Sequence, residues 1–226
     1  MIALKQVAKA PPASARGGEG LSEIDLSVDR GEFLAIVSAS EWTRTVLLDI
    51  IGLLAKPDSG SYEFDGRAVA ELGDRERAQL RSRRFGFVFR EPRLMGEFDI
   101  EGNVMLPMAY SGMPRHLRTR RARELLERVG LGSRRGDRIA SLSAQEARLV
   151  SIARALANDP TCLLFDDPGP PGVRDISDLL AGLHGEGLTI VVASPIVNHG
   201  LPATKTLRID RGRIVAPPAL TAAGVG

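Results

Sequence analysis

The sequence predicts an α/β fold built on a mostly parallel sheet, and three observations support this prediction. Short apolar runs of strand length alternate with segments of helical periodicity along most of the chain. Several runs, such as Phe33–Val37 and Leu188–Ala193, are apolar throughout, which is typical of strands covered on both faces. The stretch from Glu91 to about Ser141 contains helical patterns only and indicates an insertion on the sheet scaffold.

The elements follow from apolar period, breakers and capping residues. The predicted strands are Ile2–Val7, Leu21–Val28, Phe33–Val37, Tyr62–Phe64, Phe85–Phe89, Thr161–Phe165, Leu188–Ala193 and Thr204–Ile209. The predicted helices are Arg44–Leu54, Asp74–Arg83, Ile100–Tyr110, Arg115–Val129, Ala144–Ala157 and Val173–Leu183. Residues 9–20, "KAPPASARGGEG", are expected to form a mobile loop, and residues 216–226, "APPALTAAGVG", a disordered tail.

Composition limits the class of protein. The chain has 226 residues, of which 43% are hydrophobic and 26% charged, so it can bury a sizeable core as a soluble globular protein. The formal net charge of +2 is too small to indicate nucleic-acid binding. Arginine-rich stretches such as "RHLRTRRARE" are interleaved with glutamates at helical spacing, which favours solvated helix faces over a nucleic-acid or anionic-lipid surface.

The location of the protein is inferred from what the sequence lacks. Its one cysteine, Cys162, lies in an apolar run, so a buried side chain and a reducing compartment are expected. The first residues lack the apolar core of a signal peptide, and the longest apolar stretch, Val46–Ala55, is interrupted by Asp49 and too short to span a bilayer. We therefore expect a cytoplasmic protein that reaches a membrane only through a partner.

The segment after the strand Phe33–Val37 has the layout of a phosphate-binding loop. A short polar loop follows Val37, and a helical pattern begins near Arg44. Phosphate loops of the form G-x-x-x-x-G-K-[ST] place backbone N–H groups and a lysine around phosphate, and their hydroxyl binds magnesium. In "SASEWTRT" the layout is present but both glycines are missing.

Several segments resemble those of an ABC transporter ATPase in order and spacing. They are "GEFLAIV", "LLDIIGLLAKPDSGSYEFDG", "FGFVFR", "EGNVMLPMAYSGMP", "RARELLERVGL", "LSAQEARLVSIARALANDPTCLLFDDP" and "LRIDRGRIV". The branch that looks most similar includes lipoprotein-releasing, macrolide-exporting and cell-division transporters. This resemblance extends to about Val215.

The resemblance implies a P-loop NTPase (RecA-like) core of mostly parallel sheet, with an antiparallel β subdomain and an inserted α-helical subdomain. It implies a discontinuous core over residues 1–90 and 142–215, with the helical subdomain over residues 91–141. It also implies MgATP as the ligand, a membrane permease as partner, and head-to-tail pairing of two ATPase subunits.

Alignment of the phosphate loop with the family motif shows several departures. Ser38 and Thr43 replace the two glycines, Arg44 replaces the lysine, and Thr45 alone keeps its magnesium-binding hydroxyl. Trp42 fills volume that phosphates need. The resemblance makes the nucleotide-contacting set of this loop, in degenerate form, Ser38, Glu41, Trp42, Thr43, Arg44, Thr45 and Val46.

Glu41 places a carboxylate at the mouth of this loop, and two interpretations remain open. The carboxylate either occupies the anion position at the N-terminus of the following helix, closing the site from within, or points into water beside an ordinary turn. A position far from the amides of residues 44–46 excludes the first interpretation.

The other motifs also depart from the family pattern. In "LLFDDP", Asp166 holds the magnesium-ordering position with Thr45, and Asp167 replaces the glutamate that polarises the attacking water, one methylene short. The signature L-S-G-G-Q reads "LSAQE", in which Ser143 is kept, Ala144 and Gln145 replace the glycines, and Glu146 adds negative charge. The remaining departures are Arg90 at the coupling glutamine and Pro195, which has no side-chain donor, at the switch histidine.

Because substitutions affect nearly every nucleotide-contacting position while the scaffold segments remain, the first hypothesis is a degenerate cassette subunit. It docks on a permease and pairs with itself or with an active ATPase, and it binds either MgATP weakly or no nucleotide. A second hypothesis is an active but slow ABC transporter ATPase that uses Arg44, Thr45, Asp166 and Asp167. A third, a nucleic-acid-associated ABC protein without a permease, is distinguished by salt-sensitive binding to DNA or RNA.

Overall fold

The computed structural model describes residues 1–12, 20–169, 174–196 and 200–215. The predicted tail at residues 216–226 and most of the predicted mobile loop, residues 13–19, lie outside the described residues. No helix in the described ranges combines the length and apolar character needed to cross a membrane.

The described chain alternates strands and helices in the predicted order. The strands are β1 (Ile2–Lys9), β2 (Leu21–Val28), β3 (Phe33–Val37), β4 (Ser59–Phe64), β5 (Arg67–Ala68), β6 (Phe85–Val88), β7 (Cys162–Asp166), β8 (Thr189–Ser194), β9 (Lys205–Asp210) and β10 (Arg213–Val215). The helices are α1 (Glu41–Ile51), α2 (Asp74–Arg84), α3 (Ile100–Tyr110), α4 (Arg115–Arg128), α5 (Ala144–Ala155) and α6 (Arg174–Gly185).

A six-stranded sheet in the order β10-β9-β3-β8-β7-β6 forms the centre of the fold. Its strands from β9 to β6 are parallel, and only the edge strand β10 is antiparallel. The central strand β8 is buried along its whole length, as expected for a parallel strand covered by helices on both faces. The prediction of an α/β fold with a mostly parallel sheet is therefore confirmed.

A second, antiparallel sheet in the order β2-β1-β4-β5 lies beside the first, and the region between β6 and α5 contains helices only. Both features match the antiparallel and helical parts that the family resemblance implies. The division into a core at 1–90 and 142–215 and a subdomain at 91–141 stays a prediction.

Helix α1 begins and ends three residues earlier than predicted. Ser40 starts it, because the Ser40 hydroxyl accepts a hydrogen bond from the amide of Thr43 at 3.2 Å. Gly52 ends it, followed by Leu53 in the left-handed region at φ 64°. A Cβ at Gly52 would lie 2.3 Å from the ring of Phe87, so this glycine lets the end of α1 pack closely on the sheet.

Candidate functional site

The loop between β3 and α1 lies at the carboxyl edge of the parallel sheet, where α/β proteins bind ligands. Ser38 follows β3, and its amide donates to the Ser194 carbonyl at the end of β8 at 3.2 Å. Ser40 caps α1, and its carbonyl accepts the amide of Arg44 at 3.3 Å. The sequence-predicted loop is therefore in the position that the family resemblance implies.

Arg44 turns its guanidinium back into this loop. Its Nη1 donates to the carbonyl of Ser38 at 2.5 Å and to the carbonyl of Ala39 at 3.2 Å. The residue is only 2% exposed, and its Nε is buried without a hydrogen-bond partner. The loop therefore directs carbonyl oxygens at an internal cation, which is the opposite polarity to a loop whose amides surround phosphate.

The side chains around Arg44 fill the rest of the loop. Ser38 is 5% exposed, and Thr43 is fully buried with an Oγ1 that has no hydrogen-bond partner. Trp42 and the buried Val46 pack against the apolar core beneath α1. The loop is consequently compact and lined by side chains where the family motif has glycines.

Glu41 pairs with Arg90. Its Oε2 lies 2.6 Å from Nη1 of Arg90, and its side chain is 67% exposed. The hydrogen bond and charge of Arg90 lower the pKa of Glu41, and the same contact raises the pKa of Arg90. Capping by Glu41 is therefore wrong: Ser40 is the cap, and the Glu41 carboxylate forms an ion pair.

Arg90 also reaches Asp167, so three residues form a bridge across the site. The Nε of Arg90 lies 3.5 Å from Oδ2 of Asp167, whose side chain is 15% exposed. Asp167 has a left-handed backbone at φ 54°, and its Oδ1 accepts the amide of Gly169 at 3.1 Å. The carboxylate at the position of the catalytic glutamate is thus held by its own turn and by Arg90. We call Glu41, Arg90 and Asp167 the ion-pair bridge.

The two predicted magnesium ligands are in contact with each other. Thr45 Oγ1 donates to Oδ2 of Asp166 at 3.0 Å. Burial raises the pKa of Asp166, although this hydrogen bond and the charge of Arg44 oppose the rise. Burial and the neighbouring Asp166 also raise the pKa of Asp49 on α1. The hydroxyl of Thr45 and the carboxylate of Asp166 are therefore both present as possible magnesium ligands. They are half-buried, and the negative charges of Asp166 and Asp49 are only partly compensated.

The predicted signature residues Ser143, Ala144 and Gln145 lie on another element, the N-terminus of α5, and all three are exposed. Ser143 and Glu146 form a capping box: the Ser143 hydroxyl accepts the amide of Glu146 at 3.2 Å, and Glu146 accepts the amide of Ser143 at 2.8 Å. Arg134 pairs with Glu146.

These contacts compensate the negative charge of Glu146. The amide of Ser143 and then the guanidinium of Arg134 lower the pKa of Glu146 to about 2. The added negative charge predicted from sequence is therefore turned back onto the helix and compensated. Pro195, at the switch-histidine position, follows β8 directly and is exposed.

Two features of the site were missed in the sequence. The ion-pair bridge joins three residues far apart in the chain, and no local pattern indicates such a pairing. The capping box, in contrast, was readable, because a serine followed three residues later by a glutamate is its signature.

The chain is similar to known ABC transporter proteins in both sequence and structure. The family model described as ABC transporter matches residues 21–169. The chain is 42% identical over 224 residues to the macrolide export ATP-binding/permease protein MacB 1/2 of Paracoccus denitrificans, covering 96% of this chain and 33% of that protein. It is 40% identical over 200 residues to an uncharacterized ABC transporter ATP-binding protein of Thermotoga maritima, covering 87% and 86%.

Two solved structures of ABC cassettes also match this chain. A bacterial ABC transporter cassette solved as a dimer matches with a TM-score of 0.83 and 31% identity, over 95% of this chain and 96% of that one. Its post-hydrolysis form, bound to ADP and Pi, matches with a TM-score of 0.83 and 29% identity over the same shares. The chain spans about a third of the length of the macrolide export relatives it matches.

Proposed function

Because this chain belongs to the ABC transporter family, we propose that it is a degenerate ATP-binding subunit of a membrane transporter. Its scaffold and docking surfaces are kept, while its own ATP binding and hydrolysis are impaired or absent. Such a subunit contributes structure and contacts to a transport complex, and a partner supplies the chemistry.

The observation that carries the proposal is the Arg44 guanidinium inside the loop. A triphosphate needs converging N–H donors and a cation that faces it. Here the cation is hydrogen-bonded to the carbonyls of Ser38 and Ala39, and the amides of Thr43 and Arg44 are used by Ser40. The residues present therefore do not fit the phosphate chain of a nucleotide.

The residue at the general-base position, Asp167, supports the same proposal. Asp167 is shorter than the expected glutamate, and its carboxylate is committed to Arg90 and to the amide of Gly169. A general base must reach a water within hydrogen-bond distance. With the reach shortened and the oxygens occupied, hydrolysis at this site is expected to be slow even if nucleotide enters.

A permease is the proposed membrane partner, and one surface is suited to it. A groove of about 450 Å³ lies between β6 and α3. Its lining combines Phe85, Phe87 and Phe89 with the exposed Met95 and Tyr110, and it includes no acidic residue. We expect this groove, with its aromatic lining and three arginines, Arg81, Arg93 and Arg154, to suit a protein–protein contact. On this proposal the chain is cytoplasmic and held at the membrane by the permease.

The proposed ATPase partner is a second cassette, this chain or an active one, paired head to tail. Each site of such a pair combines the phosphate loop of one subunit with the signature of the other. In a mixed pair only the site with the partner's loop retains a phosphate cradle, and it faces the N-terminus of α5 here. A pair of two copies of this chain is expected to be inactive.

The test is equilibrium binding of MgATP to the purified chain by calorimetry, with a melting-temperature shift in parallel. A ligand that binds only the folded state at ~100 times its dissociation constant adds about 2.7 kcal/mol of stability, which a melt detects easily. We expect neither heat nor shift at millimolar MgATP. Saturable binding in the micromolar range would contradict the proposal.

A variant with a repaired loop is the matched control. It carries Ser38→Gly, Thr43→Gly and Arg44→Lys, which restore G-x-x-x-x-G-K-[ST], together with Glu41→Ser and Trp42→Ser, which remove the carboxylate and the indole. Binding of MgATP by this variant, and not by the original chain, assigns the loss to these side chains and not to the scaffold.

The second candidate is a slow ATPase, and the contact between Thr45 and Asp166 at 3.0 Å favours it. This pair keeps the oxygen ligands that suit Mg²⁺. Magnesium-dependent ATP turnover that Asp166→Asn abolishes would support this candidate.

A further inference from the structure

We propose that the ion-pair bridge is a built-in latch that holds the connection between the sheet core and the helical region in place without nucleotide. The connection is residues 89–95, which lead from β6 towards α3 and which we call the connecting segment. The inference deepens the proposed function and rests on it, because a latch of this kind replaces a ligand only where the ligand is absent.

The three bridge residues stand in three different motifs of the family. Glu41 stands in the phosphate loop, Arg90 at the coupling glutamine and Asp167 at the catalytic glutamate. Taken singly, each impairs nucleotide chemistry. Together they form one contact in which a single cation serves two carboxylates, at 2.6 Å and 3.5 Å. The substitutions are therefore structurally complementary.

The connecting segment is also held by α5, which belongs to the core, and by α3 of the helical region. Arg154 donates to the carbonyls of Pro92 at 2.7 Å and Arg93 at 2.8 Å, and Ser151 Oγ donates to Pro92 at 3.1 Å. The buried Asn103 of α3 accepts the amide of Met95 at 2.8 Å. The bridge thus anchors the core end of a segment whose other end belongs to the helical region.

The same segment forms one wall of the proposed docking groove. Phe89, Arg93, Met95 and Arg154 line it, and the Arg93 guanidinium lies 4.6 Å from the centre of the Phe89 ring. Release of Arg90 frees the end of that wall nearest the site. The latch therefore keeps the groove in one shape without nucleotide.

The experiment is hydrogen–deuterium exchange of the amides in residues 89–99 of the purified chain. Arg90→Met removes the cation and keeps an aliphatic side chain, and Glu41→Gln removes the nearer carboxylate. We expect each to speed exchange there about two- to fivefold, the range for an exposed ion pair. The double variant should exchange no faster than Arg90→Met alone, because both remove the same contact.

The matched control is Arg30→Met, which breaks an ion pair of similar length, 2.7 Å to Asp65, away from the connecting segment. It should leave exchange in residues 89–99 unchanged. Raising salt from 0.05 to 0.5 M should speed exchange in the original chain and not in Arg90→Met, since salt screens exposed charges. If Arg90 acted only through packing of its aliphatic side chain, exchange would show the same salt dependence in the original chain and in Arg90→Met.

The outcomes separate the latch from the proposed function. Unchanged exchange in both Arg90→Met and Glu41→Gln would overturn the latch while leaving the absence of ATP binding intact. Tight MgATP binding by the original chain overturns the proposed function. Faster exchange in Arg90→Met and Glu41→Gln would still show that the bridge holds the connecting segment.

Discussion

Helices α1 and α5 both begin with a serine cap at a motif that the family uses for phosphate, yet their first turns use charge in opposite ways. In α5 the acid, Glu146, folds back to its own cap and is covered by Arg134. In α1 the acid, Glu41, turns outward to Arg90, and the cation, Arg44, turns inward to the loop. The N-terminus of α5 is thus stabilised locally, whereas the N-terminus of α1 depends on a buried cation and on residues distant in sequence.

The substitution Arg44→Ala tests this contrast most strongly. It leaves two carbonyls in a buried loop without their donor and removes a cation near Asp166, so we expect the free energy of unfolding to fall by about 2–4 kcal/mol. Urea denaturation followed by circular dichroism measures it. The control Arg75→Ala, on the exposed face of α2, should change stability by less than about 0.5 kcal/mol. Equal effects of the two substitutions contradict a structural role for the internal guanidinium.

Ser143→Ala is expected to have a smaller effect because the α5 cap is local. Loss of an N-cap hydroxyl costs about 1 kcal/mol, and Ser143→Thr should retain most of it because threonine also caps helices. The same urea titration gives both values. A threonine variant as unstable as the alanine variant would show that the serine acts through something other than capping.

Glu146→Gln tests the charge of that cap through pH. The pKa of Glu146 is lowered from 4.5 to about 2 in the folded chain, so its contribution to stability is present above about pH 4.5 and disappears as the pH falls to about 2. Glutamine keeps the capping hydrogen bond without the charge. We therefore expect the original chain to be more stable than the variant at pH 7 and the difference to vanish near pH 2. Parallel pH profiles would contradict the assignment.

Arg44→Lys is expected to have the smallest effect on nucleotide binding. The lysine restores the family's ammonium, but Glu41, Trp42 and the missing glycines remain. Calorimetry with MgATP should give no measurable heat. Tight MgATP binding by Arg44→Lys would show that the guanidinium of Arg44 alone prevents nucleotide binding at this loop.

The scaffold could be predicted from sequence because apolar period and capping residues determine it locally. Strands β2 and β3 and helix α3 have the predicted bounds. The strands β5 and β10 were missed because two and three residues are too short for a recognisable pattern. Helix α1 was placed three residues late because Glu41 and Trp42 were assigned to the loop, although Ser40 is the capping residue.

The arrangement of the site could be predicted only in part. The motif positions identify which residues meet, and Thr45 does contact Asp166. The direction of each charged side chain was not predictable, since it depends on partners that the chain brings together only when folded. For Glu41 the sequence left two local interpretations, and the residue that decides its position, Arg90, follows β6 on the far edge of the sheet.

The ion-pair bridge also bears on what single substitutions towards the family pattern would do to this chain. Arg90→Gln leaves the carboxylates of Glu41 and Asp167 without the cation they share, and loss of the Glu41 carboxylate leaves Arg90 paired with Asp167 alone. Each of these single changes therefore loses an ion-pair contact. On the proposed function, recovery of ATPase activity would require several coordinated changes.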